Sequence, residues 1–184
     1  MSNFTITNLP LDGLKLIQRK KISDNRGFFS RLFCMEELHA AGWSKTIKQI
    51  NHTNTSIKGS IRGMHYQKNP YAEMKMVSCL CGEIYDVVVD LRPNSPTFLK
   101  WHAELLSTEN QSSLIIPEGF AHGFQTLLPN CELIYFHSEL YNSSNEAALN
   151  FKDPLIAIEW PIEITEVSDR DLQHKFIDES FRGI

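Results

Sequence analysis

Three polar clusters interrupt a stretch of the chain that is otherwise rich in Val, Ile, Phe and Tyr. The first is RGMHYQ at 62–67, followed by Lys75; the second is PEGFAHGF at 117–124; the third holds Tyr135, His137 and Tyr141. An imidazole titrates near neutral pH, so His65 has the chemistry of a general base that takes a proton from carbon and is readily restored. Glycine at 63 lets backbone or ligand approach closely beside it. A core histidine satisfied by a neighbour fits the same local sequence equally well. Lys75 sits among apolar residues, where a lysine either snorkels to solvent or points into a polar cavity; its neighbours alone favour the first. Tyr135, in the run LIY, reads first as an amphipathic core or interface residue.

His122, between Ala121 and Gly123, has two sharp readings: a donor to phosphate, or a metal ligand. His65, Gln67, Glu73 and His122 resemble in order and approximate spacing the ligands of metal-binding cupins. An amide at Gln67 replaces the second histidine of that pattern, and transition metals prefer imidazole, so a metal centre is the minority reading.

The elements that must position these groups are short strands. Apolar runs punctuated by Gly, Pro and Asn between 61 and 135 describe a many-stranded β protein, in which inward residues from separate strands converge on one cavity. The clearest strand signal, 74–91, breaks at Gly82, which predicts a β-hairpin. Cys79 and Cys81 fall on one face of that strand and are expected to fill core space as small thiols. Pro93, Asn94 and Pro96 mark one turn and Pro129 and Asn130 another, with strands expected over 98–106 and 114–116. Outside the β block, 35–42 carries helix formers ending in glycine. Ser168 followed by Asp171 reads as a capped helical turn, and capping is the bland role for Asp171.

Composition bounds the rest. With 184 residues, 42% hydrophobic and 22% charged, the chain is the size of one domain, expected to span 1–184. A net charge of −4 argues against nonspecific nucleic-acid binding, and no run approaches the apolar length of a membrane span. The four cysteines form no CxxC pair. The first residues lack a basic stretch followed by an apolar run, so a cytoplasmic location is expected.

Taken together, DNRGFF at 24–29, QIN at 49–51, IRGMHYQ at 61–67, GEIYDVVVDLR at 82–92, SPTF at 95–98, IPEGFAHGF at 116–124, DP at 153–154 and WP at 160–161 resemble the dTDP-4-dehydrorhamnose 3,5-epimerases. The resemblance covers nearly the whole chain. It implies a mainly all-β fold, a double-stranded β-helix or jelly roll of the cupin type with a few short helices, acting as a homodimer without a cofactor. It implies His65 as base oriented by Asp171, Tyr135 as acid on the opposite face of a sugar, and Lys75 stabilising an enolate oxygen with Asp86 as its partner. Arg62 and His122 would contact the diphosphate of a nucleoside-diphosphate sugar, Gln49 and Asn51 the nucleoside side, Tyr141 the base by stacking, and Glu146 and Arg170 the remaining ligand surface. Arg26 and Phe29 would reach the nucleotide from the partner subunit.

The chain departs from that pattern at Arg31, where family members usually carry a Glu that accepts from the thymine imide. Arginine has donors and no acceptor, so a cytidine carrier becomes an alternative to thymidine. One extra residue between Gln49 and His65 also shifts the nucleoside contacts. The implied activity is inversion at C3, C5 or both of a 4-keto-6-deoxyhexose, in the supply of unusual sugars for surface polysaccharide. Two rivals stand beside it: a metal-dependent, oxygenase-like cupin, and a sugar-nucleotide-binding module without turnover. The pairing of His65 with Tyr135 counts against the second, since binding alone needs no acid opposite a base.

Overall fold

The computed structural model describes residues 2–184. In chain order the elements are β1 (Phe4–Asn8), β2 (Lys15–Arg19), β3 (Lys21–Asp24), β4 (Gly27–Ser30), α1 (Met35–Leu38), β5 (Gln49–Thr55), β6 (Ser60–Gln67), β7 (Lys75–Cys81), β8 (Glu83–Asp90), β9 (Trp101–Ser107), β10 (Ser112–Ile116), β11 (Phe120–Thr126), β12 (Cys131–His137), β13 (Glu146–Ala148), β14 (Glu166–Val167) and α2 (Asp169–Leu172). The first large sheet runs β1-β2-β10-β7-β12-β5 and the second β13-β6-β11-β8-β9, with β14 pairing alongside β6 and β3-β4 forming a separate ribbon. All pairs are antiparallel except β14 with β6. This is the expected jelly roll, a mainly β double sheet with two short helices.

Alternation along the strands sorts side chains into three apolar layers. Val77 and Cys79 of β7, Ile84 and Val88 of β8, Phe120 and Phe124 of β11, and Leu133 of β12 meet between the two sheets. Residues one step out of phase cover the outer faces. Val87, Val89 and Ala121 pack under the C-terminal segment with Ile156, Ile158, Trp160 and Phe181. Met76, Ile115 and Phe136 pack under Leu38 and Trp43 near α1. Covering both faces is why β7 and β8 read as near-continuous apolar runs. Each wholly buried Leu, Ile or Val in these layers contributes about 1.5–3 kcal/mol through area removed from water.

Two expectations are corrected. Gly82 does not turn a hairpin, because β7 pairs with β10 and β12 while β8 pairs with β9 and β11. The glycine is instead the corner where the chain passes from one sheet to the other, at φ +81°, and a Cβ there would lie 2.7 Å from Cys131 Sγ. Cys79 is fully buried as expected, whereas Cys81 is exposed. A register shift opposite Glu132 and Leu133 breaks the alternation between the two cysteines. The helical run at 35–42 forms α1 and a 3-10 turn over His39–Ala41, capped by Gly42 at φ 89°. Asn94 and Asn130 take left-handed conformations at φ 67° and 57°, in the two turns where asparagine was expected to allow them.

Candidate active site

Between the sheets opens a cavity of about 540 Å³ whose walls include His65, Arg62, Lys75, His122, Tyr135, Asn51, Tyr141, Glu146, Arg170 and Asp171. Its polarity follows from strand phase. On β12 the inner face passes from Cys131 and Leu133, in the apolar layer, to Tyr135 and His137 at the cavity. On β7 it passes from Cys79 and Val77 to Lys75, and the register sets Lys75 beside His137. His65 and Arg62 belong to β6 in the other sheet, so His65 and Tyr135 approach the cavity from opposite walls.

Arg62 and His65 are three positions apart, which in a regular strand would put them on opposite faces. A bulge resolves this: His122 pairs with His65 but Phe124 pairs with Arg62, so β6 carries one residue more than β11. Two glycines allow the crossing there. A Cβ on Gly63 would lie 2.5 Å from Gly123 Cα, and one on Gly123 would lie 2.7 Å from the Arg62 carbonyl oxygen.

His65 Nε2 lies 2.7 Å from Asp171 Oδ1, and the Gly63 amide donates to Asp171 Oδ2 at 3.2 Å. Ser168 caps α2 by accepting from the Asp171 amide at 3.2 Å, so the capped turn delivers the carboxylate to the histidine as well. Asp171 is 3% exposed. Burial raises its pKa, but the hydrogen bond and charge of His65, the Gly63 amide and His174 together outweigh that and hold it below the usual carboxylate value. Tyr135 packs edge-on to His122 and stacks on His137, with ring centroids 6.2 and 6.0 Å apart. Its enclosure pushes the phenol pKa up, so it carries its proton at neutral pH.

A profile of the dTDP-4-dehydrorhamnose 3,5-epimerase family matches residues 8–179. The chain belongs to this family. It is an isomerase of the epimerase type. A dTDP-4-dehydrorhamnose 3,5-epimerase from Shigella flexneri is 42% identical over 168 residues, covering 90% of this chain and 92% of its own. A dTDP-6-deoxy-D-glucose-3,5-epimerase from Legionella pneumophila, solved with dTDP-4-keto-L-rhamnose, superposes with a TM-score of 0.90 at 37% identity, over 94% of this chain and 92% of its own. A 3'-monoepimerase from Streptomyces bikiniensis, solved with dTDP-quinovose, superposes at 0.85 with 29% identity, over 91% and 85%.

In this epimerase the partner expected for Lys75 is corrected. The lysine is 7% exposed and its ammonium lies 3.1 Å from Glu73 Oε1, while Asp86 Oδ1 lies 2.8 Å from His122 Nε2. Asp86 is on β8, whose inner face meets His122 of the adjacent β11, whereas Glu73 lies two residues before Lys75, the first residue of β7. Glu73 also accepts from His137 Nδ1 at 2.9 Å. Burial raises the pKa of Glu73, and the charges of Lys75 and His137 overcome it and hold it down. Glu73, read from the sequence only within the cupin-type metal set, and His137, left without a role, both line the cavity. Their signal is the period of two, since His137 is two residues beyond Tyr135 on the same strand face.

At the cavity mouth the Tyr141 hydroxyl donates to Glu146 Oε2 at 2.7 Å, and Glu146 pairs with Arg170. Gln49 does not line the cavity but holds two groups that do, donating to Asn51 Oδ1 and accepting from the Tyr141 amide, both at 3.0 Å. Arg62 Nε donates to Thr55 Oγ1 at 3.0 Å, which leaves much of its guanidinium open to the cavity. Arg26, Phe29 and Arg31 are not brought to it. Arg26 pairs with Asp24 in the exposed β3–β4 ribbon, Phe29 is 62% exposed, and Arg31 pairs with Glu37.

The cupin-type metal set does not converge. Gln67 donates to the carbonyls of Tyr71 and Leu140 and accepts from the Asn142 amide, Glu73 serves Lys75 and His137, and His122 serves Asp86. These donors are committed to fixing strands and side chains rather than to a common ion.

Proposed function

We propose that this epimerase inverts C3 and C5 of a dTDP-linked 4-keto-6-deoxyhexose, with His65 as base, Tyr135 as acid and Lys75 as the cation that steadies the enolate. A ketone at C4 acidifies the C–H bonds on either side, because the carbanion left behind delocalises onto oxygen. Inversion then needs a proton removed from one face of the ring and another delivered to the opposite face. The observation that carries the reading is that His65 and Tyr135 stand on opposite walls of one cavity, with Lys75 between the sheets beside them. Asp171 keeps the His65 Nε2 proton in place, so Nδ1 holds the lone pair that accepts the carbon proton. Tyr135, protonated at neutral pH, supplies the return proton.

Arg62 and His122 are suited to the diphosphate, Asn51 to the nucleoside, and Tyr141, Glu146 and Arg170 to the mouth. Arg31 is paired with Glu37, which supports thymidine over the cytidine alternative. The exposed apolar ribbon carrying Phe28 and Phe29, with Arg26 at its turn, supports a homodimer in which this ribbon reaches the neighbouring site. Four unpaired thiols suit the reducing cytoplasm.

Solvent deuterium tests the assignment. Product formed from the dTDP-4-keto-6-deoxy sugar in deuterium oxide should carry two deuterons, and one would limit inversion to a single centre. His65→Ala and Asp171→Asn should each lose exchange, by roughly 10²–10⁴-fold for the base itself. Tyr135→Phe should keep exchange and yield little inverted product; full inversion by that variant would refute the acid assignment. Equal turnover of CDP- and dTDP-linked substrates would remove the thymidine preference.

A further inference from the structure

Behind the His65–Asp171 pair lies a third group with no place in the reaction. His174, two residues beyond α2, sets its Nε2 3.5 Å from Asp171 Oδ1, the oxygen that His65 Nε2 already meets at 2.7 Å. The His174 ring stands edge-on to His65 with centroids 6.1 Å apart. Its Nε2 is buried and has no hydrogen-bond partner. A buried polar atom left unsatisfied costs on the order of 1–3 kcal/mol unless something else meets it. The backbone holding it is anchored, because buried Asn150 donates to the His174 carbonyl at 2.8 Å.

We propose that His65, Asp171 and His174 form an inhibitory site for a zinc-class divalent ion. Among the described residues these three side chains bring one donor atom each within 4.8 Å of one another. Two imidazoles and a carboxylate form a donor set that zinc takes readily, with a fourth position left for water. Zinc bonds of about 2.0–2.2 Å in a tetrahedron set the ligand atoms about 3.4 Å apart. The Asp171–His174 separation already matches that spacing, and the His65–Asp171 contact, at 2.7 Å, must open by about 0.7 Å. A fifth of the His174 side chain is exposed, so the site lies close to the protein surface.

Tautomer chemistry makes the ion inhibitory. A neutral imidazole carries one ring proton. In the working pair that proton sits on Nε2 and faces Asp171, leaving the Nδ1 lone pair free as base. An ion on Nε2 takes that nitrogen's lone pair, so the single proton must move to Nδ1, where it occupies the position that accepts the substrate proton. His65 and Asp171 line the cavity and His174 does not, so the ion would sit behind the His65 ring, on its Nε2 side, rather than in the substrate's space. Zinc should therefore lower kcat and leave KM unchanged.

The inhibitory consequence rests on the proposed role of His65, whereas ion binding does not, and two readouts separate them. Enzyme stripped with a chelator is titrated with zinc chloride, and binding is followed by competition with a chromophoric chelator alongside the epimerisation rate. A Cys81→Ser background removes the exposed thiol as a competing ligand. The expected result is one equivalent bound, kcat falling in step, KM constant, and recovery on adding chelator. Outer-shell changes alone typically cost 10–100-fold in metal affinity, so His174→Ala and His174→Gln, as direct-ligand losses, should each weaken binding and inhibition at least about tenfold. Using both variants, each compared with its own zinc-free rate, separates ligand loss from any effect on folding. No stoichiometric binding, or the same zinc sensitivity with and without His174, overturns the site while leaving the catalytic reading intact. Binding with the expected dependence on His174 but no loss of rate overturns the inhibition. Zinc-free enzyme that fails to epimerise at all would count against the catalytic reading instead.

Discussion

At the scale of single residues, the groups lining the cavity are held by partners that do no chemistry themselves. Glu73 is the main one. It serves both the Lys75 ammonium at 3.1 Å and His137 Nδ1 at 2.9 Å, with both Glu73 and Lys75 side chains under a tenth exposed. Removing one partner of a buried ion pair leaves the other charge desolvated and unmatched, which typically costs about 3–5 kcal/mol. Glu73→Ala should therefore destabilise the fold by about 3 kcal/mol. The double variant Glu73→Ala, Lys75→Met should recover much of that loss, because no charge is stranded. Urea unfolding of the set decides it, and a single variant as stable as the parent would mean that water already satisfies Lys75. Little of this was legible in sequence, since Glu73 and His137 lie 64 positions apart and meet only because β7 and β12 pair.

At the scale of elements, two devices position the site. The first is the β6 bulge, where Gly63 and Gly123 let the backbones approach closely enough for Arg62 and His65 to share a face. Gly123→Ala would press a Cβ against Met64 Sδ at 2.6 Å and the Arg62 carbonyl at 2.7 Å, forcing β6 and β11 apart. A shift of about 1 Å in a catalytic group costs about 10²-fold, so kcat/KM should fall by that order while far-ultraviolet circular dichroism stays β-like. Unchanged kinetics would show that the bulge is not what aims His65. The second is the turn between β8 and β9, knotted by Asp90. Its carboxylate accepts from the Arg92 guanidinium at 2.7 Å and from the hydroxyls of Ser95 and Thr97 at 2.6 Å, while Arg92 also reaches the Asp12 carbonyl at 2.8 Å. Burial raises the Asp90 pKa, yet Arg92, Ser95 and Thr97 prevail and bring it to about 2. Because the folded value lies below the unfolded one, this stabilisation is present above about pH 4 and is lost as pH falls towards 2; it amounts to about 2 kcal/mol. Asp90→Asn should flatten the decline of stability across that window, and an unchanged acid limb would count against the knot.

At the scale of the whole molecule, the β3–β4 ribbon and β5 leave Ile22, Phe28, Phe29 and Ile50 more than half exposed. Ile22 and Phe29 are cross-strand partners in the ribbon; exposed apolar groups of this kind mark an interaction surface, and the dimer proposed above would cover them. Phe28→Asp with Phe29→Asp should shift the protein towards monomers in sedimentation velocity and raise KM, since the ribbon would no longer reach the neighbouring site. A parent protein that sediments as a monomer at micromolar concentration would exclude the arrangement. No helix among the described residues is long and apolar enough to cross a membrane.

Residue types, alternation and motif order were enough to establish the β-rich class, the turns at Asn94 and Asn130 and the capped helices, because these depend on local backbone preference. The grouping of His65, Tyr135 and Asp171 came instead from the resemblance to the epimerases, since side-chain chemistry alone left each of them a structural reading. What a strand pairs with is not local. Only the tertiary structure decided that Gly82 is a corner between sheets rather than a hairpin, that Lys75 belongs to Glu73 and Asp86 to His122, and that His174 stands behind Asp171. In each case the partner comes from a strand or loop distant in sequence, and it is register and packing between sheets that select it.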